Sequence, residues 1–433
     1  MKSIRWEIEP SCNLNCKHCI VGKVDYTKRA NLDKNYEIAC LIKTLGFDHI
    51  CFTTKEPFMN PDFLNLLTFC TNLKFKISLV TNGTLITEKT LDFLYSINIK
   101  EIAISLEGWT EQSNDYIRGK GVFNKVTTLL ELIEKKNTVY GRKIDIIVQI
   151  NLNKLNHTLY KEFISYFSKF TNLVIVIGMI APLGNAQSYD LRISERFAEK
   201  FIMHLHSLIK DSFMNNIVYS YLSVFGVHYF NAIGILNQNP NVPSCGINKG
   251  AYSIYPDGEV IRCSMLDNKD CKISFQNHIC DISEITEKEL FINPKLEYEY
   301  KRISLCSQCL YKEQCNICYV FASSGMEKYY QEGCYYYKRK INLLIQQFKQ
   351  FKYTLSLTRN CVLFDMYVIR WYDGISKKYK LTEEEKNLYS YLFKNKNVDY
   401  LDLINNCSKI DEKLLINSIY KDVLLFTKRE ESI

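Results

Sequence analysis

The chain has 433 residues, 47% hydrophobic and 24% charged, enough for two or three domains with a large core. No apolar run reaches the ~18 residues of a membrane span, and residues 1–9 hold no signal-peptide core, so a cytoplasmic chain without a membrane partner is expected. The net charge of +8 is spread without a dense basic block, which speaks against a nucleic-acid partner, and 17 cysteines in such a chain argue for metal rather than disulfides.

From Ile4 to about residue 211, short β-rich runs alternate with amphipathic stretches. Strands are expected at Ile4–Ile8, His49–Thr53, Lys76–Val80, Glu101–Leu106, Ile144–Ile150 and Leu173–Ile177. Helices are expected between them, for example Leu32–Lys43, Thr87–Tyr95, Phe123–Lys135 and Leu159–Phe167. Six β/α repeats imply a parallel sheet with right-handed crossovers. The expected class is α/β, a partial (β/α)6 TIM-like barrel over residues 1–211, with functional loops at the strand C-termini.

The first such loop carries Cys12-Asn13-Leu14-Asn15-Cys16-Lys17-His18-Cys19, a C-x3-C-x2-C spacing. Three thiolates in one short loop can occupy three corners of an iron–sulfur cube and leave the fourth iron open to a small molecule. Zinc is the competing metal, but its sites usually offer four ligands, and the next cysteine, Cys40, lies in an apolar, helix-like stretch. The motif resembles the signature of the radical S-adenosylmethionine (SAM) enzymes. That resemblance implies a [4Fe-4S] cluster on Cys12, Cys16 and Cys19 whose open iron binds the amino and carboxylate groups of SAM. One electron then splits a carbon–sulfur bond and releases a 5′-deoxyadenosyl radical.

The resemblance continues along the strand ends. Glu56-Pro57 matches the end of the family's Gly-Gly-Glu-Pro stretch, which holds the methionine amino group, with Thr54 and Lys55 in place of the glycines. Thr81-Asn82-Gly83-Thr84 resembles the family's Thr-Asn-Gly turn. Ser105-Leu106-Glu107-Gly108, followed by Asp115 and Arg118-Gly119, resembles Ser-Leu-Asp-Gly with its later Asp and Arg-Gly, Glu107 being longer by one methylene. By this resemblance Glu56, Asn82, Ser105 and Arg118 contact SAM, Gln149 and Asn151 are candidates for its hydroxyls, and Pro182–Ala186 closes over the adenosine. From the residues alone, Glu56 also reads as a solvated turn acid, Asn82-Gly83 as an ordinary turn and Arg118 as half of a surface ion pair.

Residues 212–244 form a bridge rich in aromatics without a strong periodic pattern, read as core packing or as the lining of a substrate channel. A second cysteine field follows over 245–340. Cys245 precedes a hairpin with an Asp257-Gly258 turn that leads to Cys263, and then come Cys306, Cys309, Cys315, Cys318 and Cys334. Paired cysteines at these distances place thiolates around metal, with a zinc ribbon as the competitor. The field resembles the SPASM domain of radical SAM maturases, which implies two auxiliary [4Fe-4S] clusters. By that resemblance Cys306, Cys309, Cys315 and Cys334 fill one cluster. Cys245, Cys263 and Cys318 serve the other, whose fourth ligand is Cys271, Cys280 or none.

Beyond residue 340 the clustering stops. Val362–Tyr372 and Ser376–Leu381 read as a hairpin, Thr382 opens a helix through a capping box, and Tyr400–Asn406 and Asp411–Phe426 are further amphipathic stretches. Residues 353–433 are read as a small α+β, winged-helix-like module, either a structural cap or, by resemblance to related peptide maturases, a means of holding a substrate's leader segment.

The resemblance implies an enzyme that abstracts hydrogen from a peptide or protein, such as a leader-bearing precursor peptide, and is reduced by a flavodoxin- or ferredoxin-type donor. Crosslinking, thioether formation, oxidation or epimerisation would follow. The rival readings are a sulfatase-maturase-like enzyme, a small-molecule radical SAM dehydrogenase and an iron–sulfur DNA-binding regulator. Against the first, the maturases' aspartate after the second auxiliary cysteine is here Ser264.

Overall fold

The computed structural model describes residues 3–21, 29–97, 99–141, 144–170, 173–181, 184–208, 217–219, 224–236, 252–258, 260–261, 327–350, 352–372, 375–407 and 409–429. The chain divides into two compact units, Met1–Ser220 with Cys245–Glu299 and Tyr221–Ser244 with Tyr300–Ile433.

Among the described residues, the first unit is built on one nine-stranded sheet. Its strands in chain order are β1 (Ser3–Trp6), β2 (His49–Phe52), β3 (Lys76–Thr81), β4 (Glu101–Ser105), β5 (Asp145–Leu152), β6 (Leu173–Met179), β7 (Ile217–Tyr219), β8 (Tyr252–Ile254) and β9 (Val260–Ile261). Neighbours β1 to β7 follow chain order and pair in parallel. The crossovers carry α1 (Leu32–Thr44), α2 (Phe63–Asn72), α3 (Glu88–Ser96), α4 (Glu111–Arg118), α5 (Val122–Tyr140), α6 (Tyr160–Phe167) and α7 (Glu195–Leu208). All six expected strands are present, and the sheet is that of a partial TIM-like α/β core.

The sheet runs further than the sequence pattern does. At one edge β7, inside the supposed bridge, pairs with β6. At the other, β8 adds in parallel to β1, and the short β9 turns back on it. The Asp257-Gly258 turn joins these two, with Gly258 at φ +94°, a left-handed geometry that glycine adopts freely. Apolar side chains drive the assembly: Ile4, Trp6, Phe52, Leu79, Ile104, Val148 and Ile175 are all buried. Trp6 stacks on Phe52 with centroids 5.6 Å apart. Helix starts are fixed locally, with Asn31, Thr87 and Thr110 accepting backbone N–H groups at the heads of α1, α3 and α4. The net effect is to hold the C-terminal ends of β1 to β5 side by side.

In the second unit, α8 (Val224–Ala232) and α9 (Glu327–Lys349) accompany β10 (Tyr353–Leu357), β11 (Cys361–Phe364), β12 (Tyr367–Tyr372) and β13 (Ile375–Lys380). Then come α10 (Glu383–Lys394), α11 (Tyr400–Asn406), α12 (Glu412–Tyr420) and β14 (Leu424–Lys428). The capping box of Thr382 and Glu385 is present. The expected hairpin is instead a three-stranded sheet, because the chain turns at Asp365, φ +49°, and splits Val362–Tyr372 in two. The stretch Asp411–Phe426 is likewise split. The helix stops at Tyr420, Asp422 takes φ +55°, and β14 pairs antiparallel with β10. The bridge also contributes α8, whose His228 donates into a buried group: its Nδ1 lies 2.7 Å from Asp422 Oδ1, while Tyr372 donates to Asp422 Oδ2 at 2.7 Å.

Among the described residues no helix is long and apolar enough to cross a membrane. Residues 262–326 lie outside the described residues, so Cys263, Cys306, Cys309, Cys315 and Cys318 do too, as do Cys245, Pro182 and Leu183. Cys334 is described and lies half-buried in α9.

Candidate active site

The cysteine loop leaves β1 and is pinned by side chains from three other strand ends. Asn82 donates to Asn13 Oδ1 at 2.8 Å and lies 3.8 Å from Cys12 Sγ, and Asn13 donates to Thr84 Oγ1 at 2.9 Å. Asn185 donates its side-chain amide to Asn15 Oδ1 and to the Cys16 carbonyl, both at 3.0 Å, and its backbone N–H to the Cys19 carbonyl at 2.9 Å. Lys17 donates its N–H to the Ile117 carbonyl at 2.9 Å, which ties the loop to α4. Asparagine supplies both donor and acceptor, so it can satisfy loop backbone that forms no ladder.

Burial pushes the Cys16 thiol up to about 11, partly offset by the Arg118 guanidinium and reinforced by Cys19 and Cys12. Burial also raises Cys12, against the pull of the Leu14 N–H and the Asn82 amide. The raised Cys12 and Cys16 thiols would give up their protons readily only to a metal. Among the described residues no three His, Cys, Asp or Glu side chains converge on a single ion. A cubane places each thiolate on a separate iron.

Glu56 is fully buried at the end of β2. It accepts from the Asn82 N–H at 2.8 Å, from Thr81 Oγ1 at 2.8 and 2.9 Å, and from the Phe58 N–H at 3.2 Å. Burial raises its pKa, and these bonds and Arg118 pull the other way. Three donors leave one of about four carboxylate lone-pair sites for a cationic ligand group. The residues ahead of it keep the backbone that glycines would take, Thr54 at φ +67° and Lys55 at φ +52°. The loss of both glycines therefore leaves the path of the chain intact.

Sequence reasoning missed the part of Glu107. This carboxylate is buried at the end of β4, with Oε1 2.9 Å from His18 Nε2 and 3.7 Å from Arg118 Nη1. Burial raises its pKa, but His18, Arg118 and the Asn151 N–H outweigh this and hold it below the usual carboxylate range. Asn151 gives its side-chain amide to Glu107, which leaves its Oδ1 for a ligand hydroxyl. Ser105 is half-buried at the end of β4. Asp115 instead caps the start of α5, accepting from the Gly121 and Phe123 N–H groups. The loop at Gly184-Asn185, expected over the adenosine, braces the cysteine loop.

The residues fit a cluster with SAM. Arg118 is buried, and its Nε has no hydrogen-bond partner, a donor that a ligand carboxylate would satisfy. Glu56 offers an acceptor within electrostatic reach of both Arg118 and Cys12. The arrangement supplies an acidic and a basic contact beside three thiols, as an amino acid's two ends require.

Residues 6–154 match the profile described as the Radical SAM superfamily. The chain is 24% identical over 219 residues to an AdoMet-dependent heme synthase of Methanosarcina barkeri, covering 48% of this chain and 59% of that protein. It is 27% identical over 169 residues to the mycofactocin maturase MftC of Mycobacterium tuberculosis, covering 39% and 42%. The matched part thus spans about three-fifths or less of these relatives' length. In fold, the chain resembles Streptococcus suis SuiB bound to the precursor peptide SuiA, with a TM-score of 0.55, 17% identity and coverage of 73% and 72%. The cysteine loop and the strand-end residues lie inside this matched segment, so residues 6–154 are similar to the radical SAM superfamily, a likeness that implies SAM and a [4Fe-4S] cluster.

Proposed function

We propose that this protein is a radical SAM enzyme that abstracts hydrogen from a peptide or protein and so modifies it. The observation that carries the reading is the meeting of Cys12, Cys16 and Cys19 with Glu56, Asn82 and Arg118 at adjoining strand ends. Cys12, Cys16 and Cys19 hold the cluster, Glu56 takes the amino group of SAM, Arg118 and Ser105 its carboxylate and ribose, and Asn82 and Asn151 complete the pocket. When bound, the cluster and SAM supply a 5′-deoxyadenosyl radical. The protein's part is to exclude water, orient SAM and bring a substrate carbon to it.

A peptide substrate is supported by the likeness to the maturase MftC and by the fold shared with SuiB, which is seen with a precursor peptide. The heme synthases among the relatives cover a comparable part of the chain and keep a small-molecule substrate as the second reading. Cys245, Cys263, Cys306, Cys309, Cys315, Cys318 and Cys334 are assigned to two auxiliary [4Fe-4S] clusters, residues 353–433 to holding the substrate's leader, and a flavodoxin or ferredoxin to electron supply in the cytoplasm.

The test uses short precursor peptides encoded beside this gene, uniformly deuterated, with SAM and dithionite under anaerobic conditions. Deuterium in 5′-deoxyadenosine and a mass change in the peptide are expected. Undeuterated 5′-deoxyadenosine and an unchanged peptide would overturn the peptide assignment.

A further inference from the structure

We infer that Glu107 is a positioning residue for SAM, its longer side chain tying the cysteine loop through His18 to the Arg118 that receives the ligand. The inference rests on the function proposed above. Glu107 is 1% exposed, and its backbone is held on both sides. Its N–H donates to Asn114 Oδ1 at 2.9 Å, and its carbonyl accepts from the side-chain amides of Asn153 at 3.1 Å and Asn156 at 2.9 Å. Asn151 fixes the carboxylate, giving Oε2 its N–H at 3.0 Å and both oxygens its amide at 3.2 Å. From this anchor Oε1 reaches two side chains, His18 at 2.9 Å and Arg118 at 3.7 Å.

His18 sits between Cys16 and Cys19, so the carboxylate acts directly on the loop that bears the thiols. Each of its two partners keeps a second nitrogen, His18 Nδ1 and Arg118 Nε, buried and without a hydrogen-bond partner. Buried polar atoms without a partner are rare, and a ligand seated between these two side chains would satisfy both. Holding both side chains from one rigid point fixes their separation before SAM arrives, which removes part of the ordering cost of binding.

The length of the side chain decides the matter. An aspartate on the same backbone ends one carbon–carbon bond, about 1.5 Å, sooner. The contact to His18 would open to roughly 4 Å, past any hydrogen bond, while the negative charge remains.

The test pairs Glu107→Asp with His18→Phe, which breaks the same contact from the other side and keeps an aromatic ring, together with the double variant. Hydrogen exchange at the Lys17 and Cys19 amides is followed in the full-length chain, before and after reconstitution with iron and sulfide. Exchange about tenfold faster than wild type is expected in each single variant before reconstitution, and no faster in the double. After reconstitution, SAM affinity by calorimetry and the shift that SAM causes in the electron paramagnetic resonance of the reduced cluster are measured. Each single variant should bind SAM about tenfold more weakly with a smaller spectral shift, and the double should be no weaker than the worse single. Unchanged SAM affinity and spectra in both variants, or losses that simply add, would overturn the inference. If the wild type takes up no cluster and no SAM, the proposed function fails and the SAM half of the inference with it. The exchange rates then decide the anchoring half by themselves.

Discussion

Asn185 donates its backbone N–H to the carbonyl of Cys19 at 2.9 Å, and a Cβ on the preceding Gly184 would overlap that same carbonyl oxygen. Gly184 is also at φ +54°, a left-handed geometry that glycine adopts freely and alanine only with strain. Two loops more than 160 residues apart thus touch backbone to backbone, at the cysteine that closes the motif.

Gly184→Ala should therefore damage the cluster rather than the fold. Its Cβ meets backbone, which cannot turn aside as a side chain would, at a cost of about 1–3 kcal/mol. Iron analysis after reconstitution should show reduced iron, with circular dichroism unchanged. Wild-type iron content would show that the brace does not matter.

Thr54 takes the opposite sign. A β-branched residue at φ +67° is strained. Thr54→Gly relieves about 1–2 kcal/mol of that and gives part of it back as unfolded-state entropy. The first unit should gain up to about 1 kcal/mol by thermal unfolding, with SAM affinity preserved. A loss of stability would mean that the Thr54 side chain makes contacts worth more than the strain.

Glu56→Gln replaces an acceptor by an amide that cannot accept at both positions. Of the Asn82 N–H, the Thr81 hydroxyl and the Phe58 N–H, at least one loses its partner in a fully buried place. The cost is about 1–3 kcal/mol, and the charge facing the amino group of SAM is gone. Calorimetry on the reconstituted protein should show SAM binding at least tenfold weaker. Equal affinity would remove Glu56 from the binding site.

In the second unit Asp422 joins His228 and Tyr372 without contact with solvent. Asparagine tolerates the φ of +55° found there, so Asp422→Asn tests the charge and not the turn. A buried hydrogen-bonding partner left unsatisfied costs about 1–3 kcal/mol. The unfolding transition of the second unit should fall, with that of the first in place. A single unshifted transition would refute the assignment of this group as a stabilising core.

Much of the first unit was legible because each strand of β1 to β6 is an apolar run between turn residues. The cysteine spacing marked the loop, and the strand-end residues followed by resemblance. What escaped has physical reasons. The strands β7 and β8 are three residues each, too short to show a period, and they join the sheet only through partners far away in the chain. The turn at Asp365 and the break at Asp422 use left-handed aspartates, which leave no glycine or proline as a sign. Glu107 looked like a one-methylene departure from a pattern; its consequence, the bond to His18, exists only once β4 stands beside the cysteine loop. Gly184 likewise shows its purpose only against Cys19.

The most direct measurement of the central claim is the reductive cleavage of SAM by the reconstituted wild type and by Cys16→Ala. The account predicts that dithionite-reduced wild type forms 5′-deoxyadenosine and methionine. The variant should form neither and should keep the iron assigned to the second cysteine field. Production of 5′-deoxyadenosine by Cys16→Ala at close to the wild-type rate would contradict it.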